Sequence, residues 1–446
     1  MSIGKQERLQ NTMWIAYDQI PKGQGHAFYD HLQGILCRVD FDSFSERLCA
    51  PFYAENMGRP SIPPGRYFRM LLVGYFEGLD SERGICWRCA DSLSLREFLQ
   101  LDTTQTVPDH SSLSRIRARL PLEIHHEVFI FVLRLLSKQG LLRGKKLGID
   151  ASTMEANAAM RNIVRRDTGE GYKAMLERLA KESGIATPTQ AELVAFDRKR
   201  KDKKCSNKDW KSPVDEDARI AKLKDGRTRL AYKPEHVVDL DSGAIVSAKI
   251  HPADKGDTAT IHTTLKDTRS KLKKVMKKNS PQYNRPAELV ADKGYHSRET
   301  LKRLDSAFRS RISEPKENGL NCWRGDHEAR QAVYANRARI QSGKGKAMLR
   351  KRGEKVERSF AHSLDRGGMR RVHLRGNENI EKRYCIHIAG FNLGLLMRSL
   401  FGFGTPRGWL EAPCALIYAF ILHVIAFFID LFLPIERHSG ELYAAT

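Results

Sequence analysis

The chain has 446 residues, 41% of them apolar, enough to bury a core spread over roughly two or three domains, which excludes a chain disordered throughout. Its 76 Lys and Arg against 53 Asp and Glu leave a formal charge of +23, and the basic residues come in blocks that alternate with apolar segments. That distribution points to a polyanion such as DNA or RNA rather than to a membrane surface, for which an anchoring signal would be local.

The eight cysteines are scattered and the amino terminus lacks the basic-then-apolar pattern of a secretion signal, so a reducing cytoplasm is expected. Cys86 and Cys89 form one CxxC, but the run around them reads as helix and no second close pair completes a zinc site. They are expected to be buried helix cysteines.

From Ile62 to Leu120 the pattern is helical, with Pro63-Pro64 opening one helix and Gly78, Gly84 and Pro108 marking breaks or caps. Two of these short helices carry arginines beside an apolar stripe: Arg83 and Arg88 in one, Arg115, Arg117 and Arg119 in the other, the latter capped by Asp109 or Ser111. Such helices suit a DNA surface, and a plain helical bundle with an arginine-rich exterior explains the same residues. Leu122 to Gln139 then reads as a strongly amphipathic helix stopped by Gly140.

A short apolar strand follows and ends on a carboxylate, Lys145-Lys146-Leu147-Gly148-Ile149-Asp150. Residues 151–229 are polar and basic with little sustained period and read as an insertion, partly mobile without a ligand. His236 to Leu240, a turn at Asp241-Ser242-Gly243, and Ala244 to Ile250 predict a hairpin. Thr258 to Lys278 predicts a helix, and Ala287 to Asp292 a strand that again ends on aspartate.

Beyond Tyr295 the pattern predicts a helix to about Phe308, a strand near Ile312, and a basic helical stretch from Glu328 to His362 interrupted near Gly343 and Gly345. Val356, Phe360 and Leu364 form its apolar stripe, with Glu357 at the edge. The final apolar run, 412–434, is long enough to span a bilayer. His423, Asp430 and Pro413 within it favour an oligomerisation or core helix, with no membrane partner.

Two strands each ending on Asp and a later helix presenting Glu would bring three carboxylates to the carboxyl ends of neighbouring parallel strands. Mg²⁺ prefers such oxygens, and two ions about 4 Å apart clamp both the attacking and the leaving oxygen of a phosphodiester. Taken singly, a strand-ending Asp is more often a turn residue; the order of the elements is what singles these out.

In that order, Gly148-Ile149-Asp150-Ala151-Ser152, Ala291-Asp292-Lys293-Gly294-Tyr295-His296-Ser297 and Val356-Glu357-Arg358-Ser359-Phe360 resemble the bacterial insertion-sequence transposases with an Asp-Asp-Glu triad. Supporting similarities lie in Pro252 to Thr258, in Pro108 to Ser114 and in Gly404-Thr405-Pro406-Arg407-Gly408, so the resemblance covers nearly the whole chain. It implies an α/β fold, a ribonuclease H-like mixed sheet flanked by helices, preceded by an all-helical amino-terminal domain. The expected division is residues 1–140, helical and bound to inverted repeats; 141–400, catalytic, with the insertion at 151–229; and 401–446, an apolar tail.

The resemblance further implies that Asp150, Asp292 and Glu357 bind two Mg²⁺ or Mn²⁺ ions, with Lys293, Tyr295 and Arg358 beside them. It implies cleavage and strand transfer on double-stranded DNA, both terminal inverted repeats and target, by a homodimer. Related enzymes carry a tyrosine and an arginine shortly before the glutamate and a lysine after it. Here Gly353 and Leu364 stand nearest those places, with Arg352 and Arg366 close by. Lys293, Arg358 and Arg366 are expected to hold backbone phosphates, and Tyr295 is expected at the same DNA surface. An inactive DNA-binding regulator and a nuclease that cuts without joining are the rival readings.

Overall fold

The computed structural model describes residue 16 and residues 25–408, except 55–57, 59–60, 103, 202–205, 224, 277–287, 306, 317–322 and 324. The apolar run at 412–434 therefore lies outside the described residues.

Among the described residues seven α-helices come first: α1 (Ala27–Arg38), α2 (Phe41–Cys49), α3 (Pro64–Phe76), α4 (Glu82–Ala90), α5 (Leu93–Phe98), α6 (His110–Arg119) and α7 (Leu122–Lys138). Their starts are set locally. Ser81, Ser92 and Asp109 accept from the backbone N–H groups of Gly84, Leu95 and Ser112, and Pro64 opens α3, where a missing N–H costs nothing. The apolar faces of α3 and α7 make most of this layer's core, with Phe68, Met70, Val73, Phe129, Leu133 and Leu136 almost fully buried. In α4, Cys89 is buried and Cys86 half-buried, and burial pushes both thiols up, to about 12 and about 11.

The described residues that follow build a mixed sheet with helices on both faces. In order come β1 (Lys146–Ala151), β2 (Met154–Glu155), β3 (Val164–Arg165), α8 (Tyr172–Glu182), α9 (Gln190–Lys199), β4 (Trp210–Lys211), β5 (Arg219–Lys222), β6 (Thr228–Asp239), β7 (Ile245–Pro252) and α10 (Asp257–Val275). They are followed by β8 (Glu288–Ala291), α11 (Arg298–Asp305), β9 (Arg309–Ile312), α12 (His327–Gln341), α13 (Gly343–Phe360) and α14 (Asn377–Phe401). β6 pairs antiparallel with β7 along one edge and with β1 along the other. β1, β8 and β9 then run parallel. The strand order across the centre is thus β7, β6, β1, β8, β9.

Successive β6 residues point to opposite faces. Glu235 bonds Thr260 of α10 while His236 bonds Ser359 of α13, so these two helices cover the two faces.

The predicted strands and later helices form close to their expected bounds, and so does the second hairpin strand, whereas β6 begins at Thr228, eight residues before the expected His236. The described part of residues 151–229 holds short elements that its polar pattern did not mark. α8 buries Met175, Leu176 and Ala180, β3 and β4 pair as a ribbon, and β2 and β5 join the sheet through β6. Leu193 and Trp210 are buried as well. The apolar residues of this span are few but fall where each short element needs one.

α14 was not legible as a helix either. It is buried on nearly every side, including Glu381, Lys382, Arg383, His387 and Asn392, so polar residues interrupt any apolar stripe. The stretch Asn377–Gly408 is the one among the described residues long and apolar enough to cross a membrane by composition, and 61% of its most apolar window is buried inside the protein.

Burial pushes His125, His236 and His387 down from 6.5 to about 3. The unfolded chain would bind a proton at each below about pH 6.5, and the folded chain would not. Their contribution to stability is therefore present above that pH and is lost progressively as the pH falls below it. Urea unfolding of the full chain should show a lower midpoint at pH 5.5 than at pH 7.5, and His387→Gln should flatten that dependence.

Candidate active site at the carboxyl ends of the parallel strands

β1 and β8 are in register at Lys146 with Glu288, Leu147 with Leu289 and Gly148 with Val290. Carried two residues further, the same register sets Asp150 level with Asp292, on strands about 4.8 Å apart. The Asp150 carboxylate accepts the Ala151 N–H at 2.8 Å and an Arg352 N–H at 2.7 Å. Its pKa is raised, chiefly by burial and also by the negative charge of Asp292, while Arg352 opposes the rise. Asp292 caps the single 3₁₀ turn Lys293–Tyr295 by accepting the Lys293 N–H at 2.6 Å.

Tyr295 holds this turn down. Its ring is fully buried and its hydroxyl donates to Glu235 at 2.8 Å. Glu235 also accepts from Thr260 and Thr264 and faces His251. Burial would raise its pKa, but those partners hold it below the usual carboxylate range.

α13 crosses the other face diagonally. Lys344 pairs with Glu288 at the start of β8. Arg352 and Val356 lie over Gly148, where an added Cβ would stand 3.2 and 3.1 Å from them. Ser359 bonds His236 of β6 at 2.9 Å, and Phe360 stacks on the same imidazole. His236 is the β6 partner of Asp150, and its second nitrogen meets the Tyr384 hydroxyl of α14 at 2.6 Å. Three elements are thereby pinned next to the first aspartate.

Glu357 is exposed. The flank of α13 that carries Lys351, bonded to Asp241, and Lys355, against Gly243, faces the β6–β7 turn. At 100° per residue Glu357 falls on the far side of the helix from that flank, toward the ends of β1 and β8. Glu354 is engaged elsewhere, with Arg358 at 3.3 Å and Lys355 at 3.6 Å. The structure therefore brings Asp150 and Asp292 together and leaves Glu357 near their side of α13. Among the described residues no three His, Cys, Asp or Glu side chains stand close enough to form a ready metal cluster.

Family comparison matches residues 15–119 to a model described as a transposase domain and residues 189–393 to one described as a transposase DDE domain. The chain belongs to the DDE transposases. No curated protein and no solved structure matches it. Asp292 and Glu357 lie inside the second matched span of this transposase, and Asp150 lies between the two spans.

Several side chains expected at a DNA surface are placed otherwise in the transposase. Arg117 is buried and paired with Glu82, and Tyr295 is buried on Glu235, so neither is presented to a ligand. Arg117 shares the buried face of α6 with Leu113 and Ile116, and Tyr295 turns inward to donate to Glu235. Arg88 is half-buried and pairs with Glu77 at 3.1 Å. Arg83, Arg115, Lys293, Arg358 and Arg366 are exposed. Arg358 lines a cavity with Lys355, Leu395 and Arg398, on the flank of α13 turned from Glu357. Arg366 lines another beside Gly78 and Arg407.

Sequence reasoning noted Arg352 only as a nearby base, yet it is the cation held against Asp150. It also missed Glu235 and His236, whose signal was polar side chains inside an otherwise apolar strand. Gly148→Ala should cost about 1 to 3 kcal/mol of stability, because its Cβ meets Val356, Arg352 and Leu240. The loss should appear as a lower melting temperature of the variant, measured side by side with the parent protein.

Proposed function

We propose that this transposase binds the terminal inverted repeats of its insertion sequence and catalyses metal-dependent cleavage and strand transfer, with a ribonuclease H-like catalytic domain acting in the cytoplasm as a dimer. The observation that carries the reading is the pair Asp150 and Asp292, level with one another on adjacent parallel strands, with burial and mutual repulsion raising the pKa of the first. Two carboxylates that repel in this way suit a hard divalent cation, and all their donor atoms are oxygens.

Asp150, Asp292 and Glu357 would hold Mg²⁺ or Mn²⁺, probed as two ions. Bound there, the metal supplies positive charge to the attacking and leaving oxygens of an in-line displacement at phosphorus. Arg352 would hold Asp150 in place and oppose the rise in its pKa, and would be free to contact an incoming phosphate once a metal ion neutralised the carboxylate. Lys293, exposed beside Asp292, contacts the backbone. Water first cuts the element's end, and the freed 3′ hydroxyl then attacks target DNA. Arg83 and Arg115 on α4 and α6 contact the repeats, with an affinity that falls steeply with salt as counterions are released.

Purified protein, Mg²⁺ or Mn²⁺, and DNA carrying the flanking repeats separate the readings, since binding alone marks a regulator and cutting alone a nuclease. Asp292→Ala and Glu357→Gln should each lower cleavage by about a thousandfold or more while leaving repeat binding within a few fold. Retained cleavage in either would remove that residue from the site. Arg115→Ala should weaken repeat binding by about tenfold without changing the melting temperature.

A further inference from the structure

Arg383 on α14 is 3% exposed. Its Nη2 donates to the Leu79 carbonyl at 3.1 Å, and its Nη1 has no hydrogen-bond partner among the described residues. Room for the guanidinium comes from Gly74, where an added Cβ would stand 2.4 Å from Nη2. Burial pushes its pKa down, to about 10, so it remains charged at neutral pH. A buried charge without a full set of partners is expensive, and no carboxylate forms an ion pair with it among the described residues.

The same residue lines a cavity of about 260 Å³ between α4, α6 and the segment that leads into α14. Arg83, His110, His373 and Ser81 line it as well. Its two acids have partners already: Asp80 pairs with His373 at 3.0 Å, and Glu82 pairs with Arg117. Ser81 caps α4 and His110 begins α6, so the amino ends of two helices, each carrying partial positive charge, meet at the cavity.

We propose that this cavity is an oxyanion site that takes one phosphate group, with Arg383 as its floor and Arg83 at its mouth. Resting on the reading of the chain as a DNA-binding enzyme, the group is a phosphodiester of the bound repeat, and occupancy ties the helical layer to α14. A free phosphate or a phosphorylated small molecule presents the same chemistry.

Inorganic phosphate is the probe, compared with chloride at equal ionic strength on the full chain by thermal unfolding. The expected result is a saturable rise in melting temperature. In Arg383→Gln the rise should disappear, and in Arg83→Ala the half-saturating concentration should increase by about tenfold, the value of one charge-assisted hydrogen bond. Arg83 is exposed, so its variant keeps the test usable if Arg383→Gln does not fold.

Repeating the titration with a repeat-bearing duplex bound separates the sources. Loss of the phosphate effect assigns the site to DNA, and its persistence assigns it to a free phosphate species. A rise that is linear in concentration, or identical in the wild type and the Arg83→Ala protein, reflects general exclusion from the surface and overturns the site. Absence of repeat binding with a saturable phosphate effect would sink the DNA reading and leave the site standing.

Discussion

α14 runs between the helical layer and the sheet with Glu381, Lys382, Arg383, His387 and Asn392 all buried, and a buried polar group left unpaired costs about 1 to 3 kcal/mol. Each therefore reaches to one side or the other. Asn392 bonds both the N–H and the carbonyl of Ile245 at 3.0 and 2.8 Å. Glu381 meets Lys249 of β7 at 2.5 Å and His126 of α7 at 3.5 Å. Lys382 donates to the Arg117 carbonyl, and Tyr384 meets His236. Because such bonds are directional, the helix fixes how the two layers sit in a way that apolar packing alone would leave loose.

The candidate active site inherits that placement. His236 receives Tyr384 from α14 and Ser359 from α13, and it sits opposite Asp150 in the sheet. The position of α13, and with it of Arg352 and Glu357, is thus tied to the same network that joins the layers. Gly148 completes the arrangement by letting α13 approach β1. On the other face, Glu235 anchors Tyr295 and so the turn that begins at Asp292. Both aspartates lie at the ends of strands held from two sides, the rigidity that the proposed metal-dependent phosphoryl chemistry would need.

Charge is divided in a way that suits a polyanionic substrate. The acids at the strand ends repel one another, while exposed bases lie on several sides: Arg83 and Arg115 on the helical layer, Lys293 beside Asp292, and Arg358 and Arg366 on cavities near α14. On the proposed function, long DNA would meet such a surface at many points, contacts that supply affinity without reading base sequence.

The amino-acid sequence by itself determined the helices and strands whose periodicity is regular, the β6–β7 hairpin through its Asp-Ser-Gly turn, and the two strands that end on aspartate, because these depend on neighbours within a few residues. It also carried the family, through short motifs in a fixed order. Tertiary structure alone decided that Arg117 and Tyr295 turn inward, that Arg352 pairs with Asp150 across 202 positions, and that α14 is a core helix despite its charges. Those outcomes depend on partners distant in the chain, and a buried ion or hydroxyl looks the same in sequence as an exposed one until the fold supplies the group that satisfies it.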